Sequence, residues 1–341
     1  MRLAVFDTRR YDRTAFEQAR AGAPHDISYF VSRLTPETCA LASGFEAVCA
    51  FVNDVLDDAM LTSLHASGVR LVALRSAGFN HVDLEAAGRL GIKVTRVPDY
   101  SPHAVAEHAV ALVLSLNRKI HRAHARVRES NFSLEGLVGF DLFGKTVGLL
   151  GTGRIGVAAA RIFRGFGCKV LAWDAAPSAA LEAEGLLRYV PLDTLLASSD
   201  IVSLHIPLGP TTQHLLDAGA LARMKRGAML INTSRGGLID SVALLAALKS
   251  GQVGSAGLDV YEAEGGIFFS DLSGEVLQDD VLARLLSMPS VLVTSHQAFL
   301  THEALGNIAT STLACITSFE RGEPLRNEVS ALAPVPGPAR V

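Results

Sequence analysis

The chain has little cysteine. Its four cysteines (Cys39, Cys49, Cys168 and Cys315) lie far apart and form no CxxC pair, which argues against a disulfide framework and a cysteine zinc site. They read as the reduced thiols of a cytosolic protein. A strong charge of either sign is also missing: 31 Lys and Arg against 34 Asp and Glu leave a formal net charge of −3. Nothing in that balance points to nucleic acid or to an anionic membrane surface. Long apolar runs are absent too, since the stretch Ala109 to Leu116, bounded by His108 and Asn117, is too short to span a bilayer. The opening Met1-Arg2-Leu3-Ala4-Val5-Phe6-Asp7 reads as a core strand, without the apolar centre and small-residue cleavage site of a signal peptide. A cytoplasmic protein with no membrane or nucleic-acid partner is expected.

What is present is length for two domains, 341 residues, and 49% apolar content. In the first hundred residues Leu3–Phe6, Ala47–Val52, Val69–Leu74 and Ile92–Val97 read as strands, with helices at Asp57–Ser67 and Asp83–Leu90. This small α/β unit has no phosphate-binding turn at its first strand. Ser101 as N-cap and Pro102 at the first helical position then open a long helix to about Arg128, apolar early and basic late (Arg118, Lys119, Arg122, Arg126, Arg128). The basic half reads as a solvated or interface face. From Gly144 to about His296 the βα alternation resumes, with later strands at Ile201–Ile206, Ala228–Thr233, Gly254–Val260 and Ser290–Ser295, and helices near Leu216–Met224 and Val242–Leu248. The chain leaves this domain near His296, so the helix at about His302–Arg321 is expected to return to the first domain. The expected division is a discontinuous substrate domain, 1–100 with 297–333, a dinucleotide-binding domain, 101–296, and a flexible Pro-rich tail, 334–341.

The most informative feature is Gly151-Thr152-Gly153-Arg154-Ile155-Gly156. It follows the apolar run Thr146–Leu150 and precedes a helical stretch, a second strand Lys169–Trp173 and Asp174. Strand, tight turn, helix, strand and terminal carboxylate form the arrangement that binds a dinucleotide. Gly151 permits the turn, Gly153 allows close approach to the pyrophosphate, and Gly156 allows close helix packing. Asp174 suits ribose hydroxyls and would repel a 2′-phosphate, and the following Ala175-Ala176-Pro177-Ser178 supplies no cation, so the expected cofactor is NAD.

Hydride transfer to a carbonyl needs a proton donor and a group that holds the substrate. Arg235, Glu264 and His296 each lie just beyond a strand of the nucleotide domain, where ligands of open α/β sheets bind. The Arg fork suits a carboxylate, and hence a 2-oxo or 2-hydroxy acid. His is the side chain that gives and takes protons near neutrality, and a carboxylate on its other ring nitrogen would fix the tautomer and favour the imidazolium. Other histidines receive plainer readings. His103 and His108, flanking Glu107, are five residues apart and point about 140° from each other on a helix, so no metal site is expected. His205 is either on the adenine side or a satisfied core histidine.

From about Leu74 to Leu305 the chain resembles the D-isomer-specific 2-hydroxyacid dehydrogenases. The matching segments are Arg75-Ser76-Ala77-Gly78-Phe79-Asn80, Tyr100-Ser101-Pro102, Gly151–Gly156, Asn232-Thr233-Ser234-Arg235-Gly236-Gly237, Gly257-Leu258-Asp259-Val260-Tyr261-Glu262 and Thr294-Ser295-His296. Phe268–Ser273 with Leu277-Gln278-Asp279-Asp280 looks most like the D-lactate dehydrogenase branch. The resemblance implies a doubly wound Rossmann-like nucleotide domain inserted in a smaller, flavodoxin-like substrate domain. It also implies reversible hydride transfer between NADH and pyruvate, giving D-lactate. In that scheme Arg235 grips the substrate carboxylate, Glu264 orients His296, and His296 is the acid/base. Asp259 and Thr233, beside Ser234, would lie near the nicotinamide carboxamide. Ile206, Pro207 and Thr212 would line the cofactor, with Arg154 and Ile155 in the pyrophosphate turn. Ala77, Gly78 and Tyr100 would serve the substrate side of a closing cleft, with Phe51 and Phe299 as further candidate walls. Many relatives follow the catalytic Glu with Pro, but Gly265 stands here. Glu262 is therefore a rival, and Glu264 is preferred because its 29-residue offset from Arg235 fits the family. Other implied possibilities are a reductase of glyoxylate, hydroxypyruvate or phenylpyruvate, or an NAD-sensing binding protein of the corepressor kind. Relatives suggest a homodimer through the nucleotide domains.

Overall fold

The computed structural model describes residues 1–20 and 25–331. The expected tail, 334–341, and the last two residues of the returning segment lie outside them. The chain divides into two compact units, residues 1–101 with the segment from 299 onward, and Pro102–Ala298.

The first unit is built on short apolar strands, β1 (Arg2–Val5), β2 (Asp26–Tyr29), β3 (Ala47–Ala50), β4 (Leu71–Leu74) and β5 (Lys93–Thr95). All neighbours pair in parallel in the order β2-β1-β3-β4-β5, the flavodoxin arrangement. Side chains alternate between two cores: Leu3, Val5, Ala47, Cys49, Leu71 and Ala73 line one, and Ala4, Val48, Ala50, Val72 and Leu74 the other. Both faces are covered, so these strands read as continuous apolar runs. The helices are α1 (Arg10–Ala19), α2 (Asp58–Ala66) and α3 (Leu84–Leu90). Asp57 and Asp83 cap α2 and α3 by accepting the Met60 and Ala86 amides, both at 2.9 Å. β2 and α1 escape sequence reading because their signals are weak: β2 buries only Ile27 fully, and α1 buries only Asp12, Ala15 and Phe16.

The second unit opens with α4 (Pro102–Arg118) and α5 (Ile120–Arg128). The expected single helix to Arg128 is therefore two. Lys119, at φ +51°, breaks it because the apolar face that holds α4 in its core ends at Leu116, and α5 buries no residue at all. Then come β6 (Thr146–Leu150), α6 (Arg154–Gly165), β7 (Lys169–Trp173), α7 (Ala179–Ala183), β8 (Arg188–Tyr189), α8 (Leu192–Ser198), β9 (Ile201–Leu204), α9 (Ala218–Arg223), β10 (Ala228–Asn232), α10 (Ser241–Lys249), β11 (Val253–Leu258), α11 (Asp280–Leu286) and β12 (Val291–Val293). The parallel order β12-β11-β10-β9-β6-β7-β8 is the Rossmann order with one more strand at its edge. Asp217, Asp240 and Asp279 cap α9, α10 and α11 in the same way as Asp57. α12 (His302–Glu320) belongs to the first unit, where Ala309, Leu313 and Ile316 join Leu3, Val5 and Phe16 in one core. No described helix is long and apolar enough to cross a membrane.

Four ladders of the second unit stop short of the expected strand ends, at Leu204, Asn232, Leu258 and Val293. The residues just past them, His205 to Pro207, Thr233 to Arg235, Asp259 and Thr294 to His296, carry most of the candidate site. His205 sits beneath the glycine turn, its carbonyl 2.6 Å from where a Cβ on Gly151 would lie, and its Nε2 meets Ser203 Oγ at 3.0 Å. Desolvation pushes its pKa from 6.5 down to about 4. The unfolded chain then takes up a proton first as pH falls, so His205 contributes no penalty above pH 6.5 and destabilises the fold progressively between 6.5 and about 4. Urea unfolding at pH 7.5 and pH 5 should show His205→Gln retaining about 1–2 kcal/mol of stability that the parent loses at pH 5. Equal losses in the two proteins refute that assignment.

Candidate active site

The glycine turn leaves β6 with Gly151 at φ +101° and enters α6 with Gly153 as N-cap. A Cβ on Gly156 would lie 2.0 Å from the Gly151 carbonyl oxygen, so only hydrogen fits where α6 passes the strand. α6 begins at Arg154, which is exposed, and Ile155 packs partly against the core. The first amides of a helix lack intrahelical partners and carry the positive end of its dipole, which suits an anion. Asp174 stands at the end of β7. Its Oδ2 accepts Thr152 N at 2.7 Å and Thr152 Oγ1 at 2.9 Å, and its Oδ1 accepts Ala176 N at 2.8 Å. Because the Thr152 hydroxyl proton goes to Asp174, Tyr189 must donate to Thr152 Oγ1, at 2.8 Å. Tyr189 was not foreseen, since a two-residue strand leaves little pattern to read.

On the next strands, Ile206 is buried and its carbonyl accepts Ser234 Oγ at 2.5 Å. Thr212 Oγ1 closes its own loop, accepting Gly209 N and donating to Pro207 O, both at 2.8 Å. Thr233 is buried, and its Oγ1 has no hydrogen-bond partner among the described residues. A buried hydroxyl left without a partner marks a place for a ligand's polar group. Asn232 shapes the turn that follows: its Oδ1 accepts Ser234 N at 3.0 Å and its Nδ2 donates to Arg235 O at 2.9 Å. Arg235 is half-buried, and its guanidinium donates to Ser234 O at 2.7 Å.

His296 follows β12 with its backbone at φ +49°. Its Nδ1 lies 2.8 Å from Glu264 Oε1, while Glu264 Oε2 accepts Tyr261 N at 3.0 Å. The Tyr261 hydroxyl donates to Asp279, the cap of α11, at 2.9 Å, which anchors the loop that carries Glu264. Glu262 goes elsewhere, to His214 and to the Ser241 amide. Phe269 packs near the imidazole at 5.8 Å between ring centres. Asp259 is 0% exposed, and it accepts the amides of Gln297 and Ala298, both at 2.9 Å, on its two carboxylate oxygens. His108, weighed from sequence only as a metal ligand, lies on α4 beside Thr294 and Asp259.

The remaining sequence candidates lie in the first unit. The Ala77 carbonyl accepts Arg96 Nη1 at 3.1 Å, the Gly78 carbonyl accepts Ser76 Oγ at 2.8 Å, and the Tyr100 carbonyl accepts Asn307 Nδ2 at 2.7 Å. Phe299 contacts both Tyr100 and Phe51, at 6.4 and 6.0 Å between ring centres, so the three candidate walls form one aromatic group. Arg75 was not foreseen as an anchor. It is buried, stacks on Phe51 at 4.4 Å, and donates to the carbonyls of Phe6 and Asp7 at 3.0 and 2.9 Å.

A Rossmann unit whose glycine turn, terminal carboxylate and buried threonine lie at the ends of β6, β7 and β10, with an Arg and a Glu–His pair beyond them, defines a nicotinamide-dependent oxidoreductase. The comparisons agree. Residues 110–298 match the family described as D-isomer specific 2-hydroxyacid dehydrogenase, NAD binding domain. The chain is 51% identical over 329 residues to the D-lactate dehydrogenase of Escherichia coli strain K12, covering 96% of this chain and 100% of that one. It superposes on the apo structure of an E. coli D-lactate dehydrogenase with TM-score 0.88 at 49% identity, covering 96% of this chain and 100% of that one. A structure of the pyruvate reductase of Chlamydomonas reinhardtii gives TM-score 0.91 at 48% identity, covering 96% and 98%. The chain belongs to the D-isomer-specific 2-hydroxyacid dehydrogenase family. It is an NAD-dependent enzyme, and the glycine turn, Asp174 and Thr233 fit that cofactor.

Proposed function

We propose that this enzyme is a D-lactate dehydrogenase that works as a pyruvate reductase. The observation that carries the reading is the Glu264–His296 pair at the end of a Rossmann strand. Similarity to a D-lactate dehydrogenase and a pyruvate reductase over nearly the whole chain supports the substrate. When bound, NADH supplies the hydride for the carbonyl carbon. Arg235 holds the substrate carboxylate with its planar fork. Glu264, on Nδ1, leaves His296 Nε2 to deliver a proton to the carbonyl oxygen in reduction and to take the hydroxyl proton in oxidation. Asp174 and Thr152 meet the ribose hydroxyls, and the α6 N-terminus meets the pyrophosphate.

We also read the protein as a cytoplasmic homodimer. The four cysteines, free and buried, support a reducing compartment, which cell fractionation checks. Phe132, Leu134, Val138 and Phe143, on the segment after α5, are 72–84% exposed, an apolar surface that a second copy would cover. Leu134→Asp with Phe143→Asp should shift light scattering from dimer mass to monomer mass. An unchanged mass places the contact elsewhere.

NADH oxidation should be measured with pyruvate, glyoxylate, hydroxypyruvate and phenylpyruvate, and the reverse reaction with D- and L-lactate. Fast pyruvate turnover and oxidation of D-lactate alone are expected. Preference for another 2-oxo acid moves the substrate, and silence on all four with tight NADH binding favours a binding protein. Arg235→Ala should lower kcat/KM for pyruvate by roughly 10- to 100-fold, the loss of a charge-assisted contact of about 1.5–3 kcal/mol. His296→Ala should abolish most turnover while NADH still binds.

Glu264→Gln removes the carboxylate that orients His296 through Nδ1 and should lower kcat for pyruvate roughly 10- to 100-fold. Glu262→Gln should leave kcat near the parent value, and the opposite pattern would exchange the two glutamates.

A further inference from the structure

His296 adopts φ +49°, a left-handed conformation that an L residue keeps only where its surroundings over-determine it. One residue does so here. The Asp259 carbonyl accepts His296 N at 2.7 Å, its Oδ1 accepts Gln297 N at 2.9 Å, and its Oδ2 accepts Ala298 N at 2.9 Å. Three consecutive amides thus end on Asp259. Its carboxylate is fully buried, and a buried charge must be held by further donors. Two are supplied. Thr294 Oγ1 donates to Oδ1 at 2.5 Å, and His108 Nε2 lies 3.3 Å from the same oxygen and 3.0 Å from Thr294 Oγ1. The Thr294 hydroxyl proton is spent on Asp259, so the Thr294 oxygen can only accept from His108. His108 therefore carries a proton on Nε2, and the chain of donors runs from α4 through Thr294 to Asp259 and on to the His296 loop. α4 buries one face from Ala104 to Asn117, which makes it a firm place to fasten that chain.

We propose that His108 is a positioning residue: acting through Thr294 it holds the Asp259 carboxylate in the orientation that aims the His296 imidazole. This rests on the reading of His296 as the acid/base. The side-chain hydrogen bonds of His108, Thr294 and Asp259 run to one another and to the His296 loop, whereas those of Asp174 run to Thr152 and Ala176, so loss of His108 misdirects proton transfer and leaves the main cofactor anchors standing.

The test uses the full-length enzyme with pyruvate and NADH. Compared are His108→Ala, His108→Gln, Thr294→Val and the His108→Ala, Thr294→Val pair, each checked for folding by near-UV circular dichroism. His108→Ala and Thr294→Val should each lower kcat, on the order of 10- to 100-fold, with the KM for pyruvate and the NADH Kd little changed. The pair should be no slower than the slower single variant, because both break one chain. His108→Gln, whose amide can still donate to Thr294, should recover most of kcat. Hydrogen exchange at the amides of residues 296–298 should quicken in the two single variants and not in His108→Gln. Parent-like kcat in either folded single variant, losses that multiply in the pair, or no recovery by Gln would overturn the proposal. If the parent enzyme reduces no 2-oxo acid, the acid/base reading has failed. Amide exchange then decides the clamp alone: quicker exchange supports it, and unchanged exchange removes it.

Discussion

The amides of His296, Gln297 and Ala298 all end on Asp259, and the left-handed turn that presents the His296 imidazole depends on that convergence. The constraint behind it is general to parallel sheets. A ladder satisfies its backbone groups only while strands run together, and past the last pair each N–H and C=O needs another partner. Here buried polar side chains take over. Asp259 does so after β11 and β12, and Asn232 does so after β10, where it ties Ser234 and Arg235 into one turn. The candidate arginine and histidine are thus held by residues that are themselves fully buried and hydrogen-bonded.

The nucleotide side obeys a different constraint, that of close approach. Gly151 lies against the His205 carbonyl, and Gly156 lies against Gly151 itself, so neither tolerates a methyl group. The turn brings Thr152 onto Asp174, where amide, hydroxyl and the Tyr189 phenol form one oriented set. Asp174 is thus fixed by three hydrogen bonds before any ligand arrives, and a group fixed in advance loses less entropy on binding.

Much of this was legible in the residue order. The strand, glycine turn, helix and Asp174 follow one another locally, so pattern alone located them. Arg235, Glu264 and His296 could be named because each follows a run of apolar residues. The choice between Glu264 and Glu262 was less secure, since two carboxylates two residues apart differ little in a sequence. In the fold, Tyr261 N takes Glu264 toward His296, while His214 and the Ser241 amide take Glu262. The contacts of His108 were hidden for a related reason. Its spacing from His103 says nothing of Thr294 and Asp259, which reach it from more than 150 residues away. The break at Lys119 was hidden because a continuous run of helix-forming residues does not reveal where packing stops.

The sequence by itself determined the two α/β units, the phosphate turn, the preference for NAD and the identities of the groups available for chemistry. These depend on local order, on glycine's missing Cβ and on charge, all of which are carried within a few residues. Only the tertiary structure decided which glutamate meets His296, where each ladder ends, and that Asp259 is buried under three amides and a threonine hydroxyl. Those outcomes arise from hydrogen bonds between segments far apart in the chain, and no local pattern encodes a partner it does not contain.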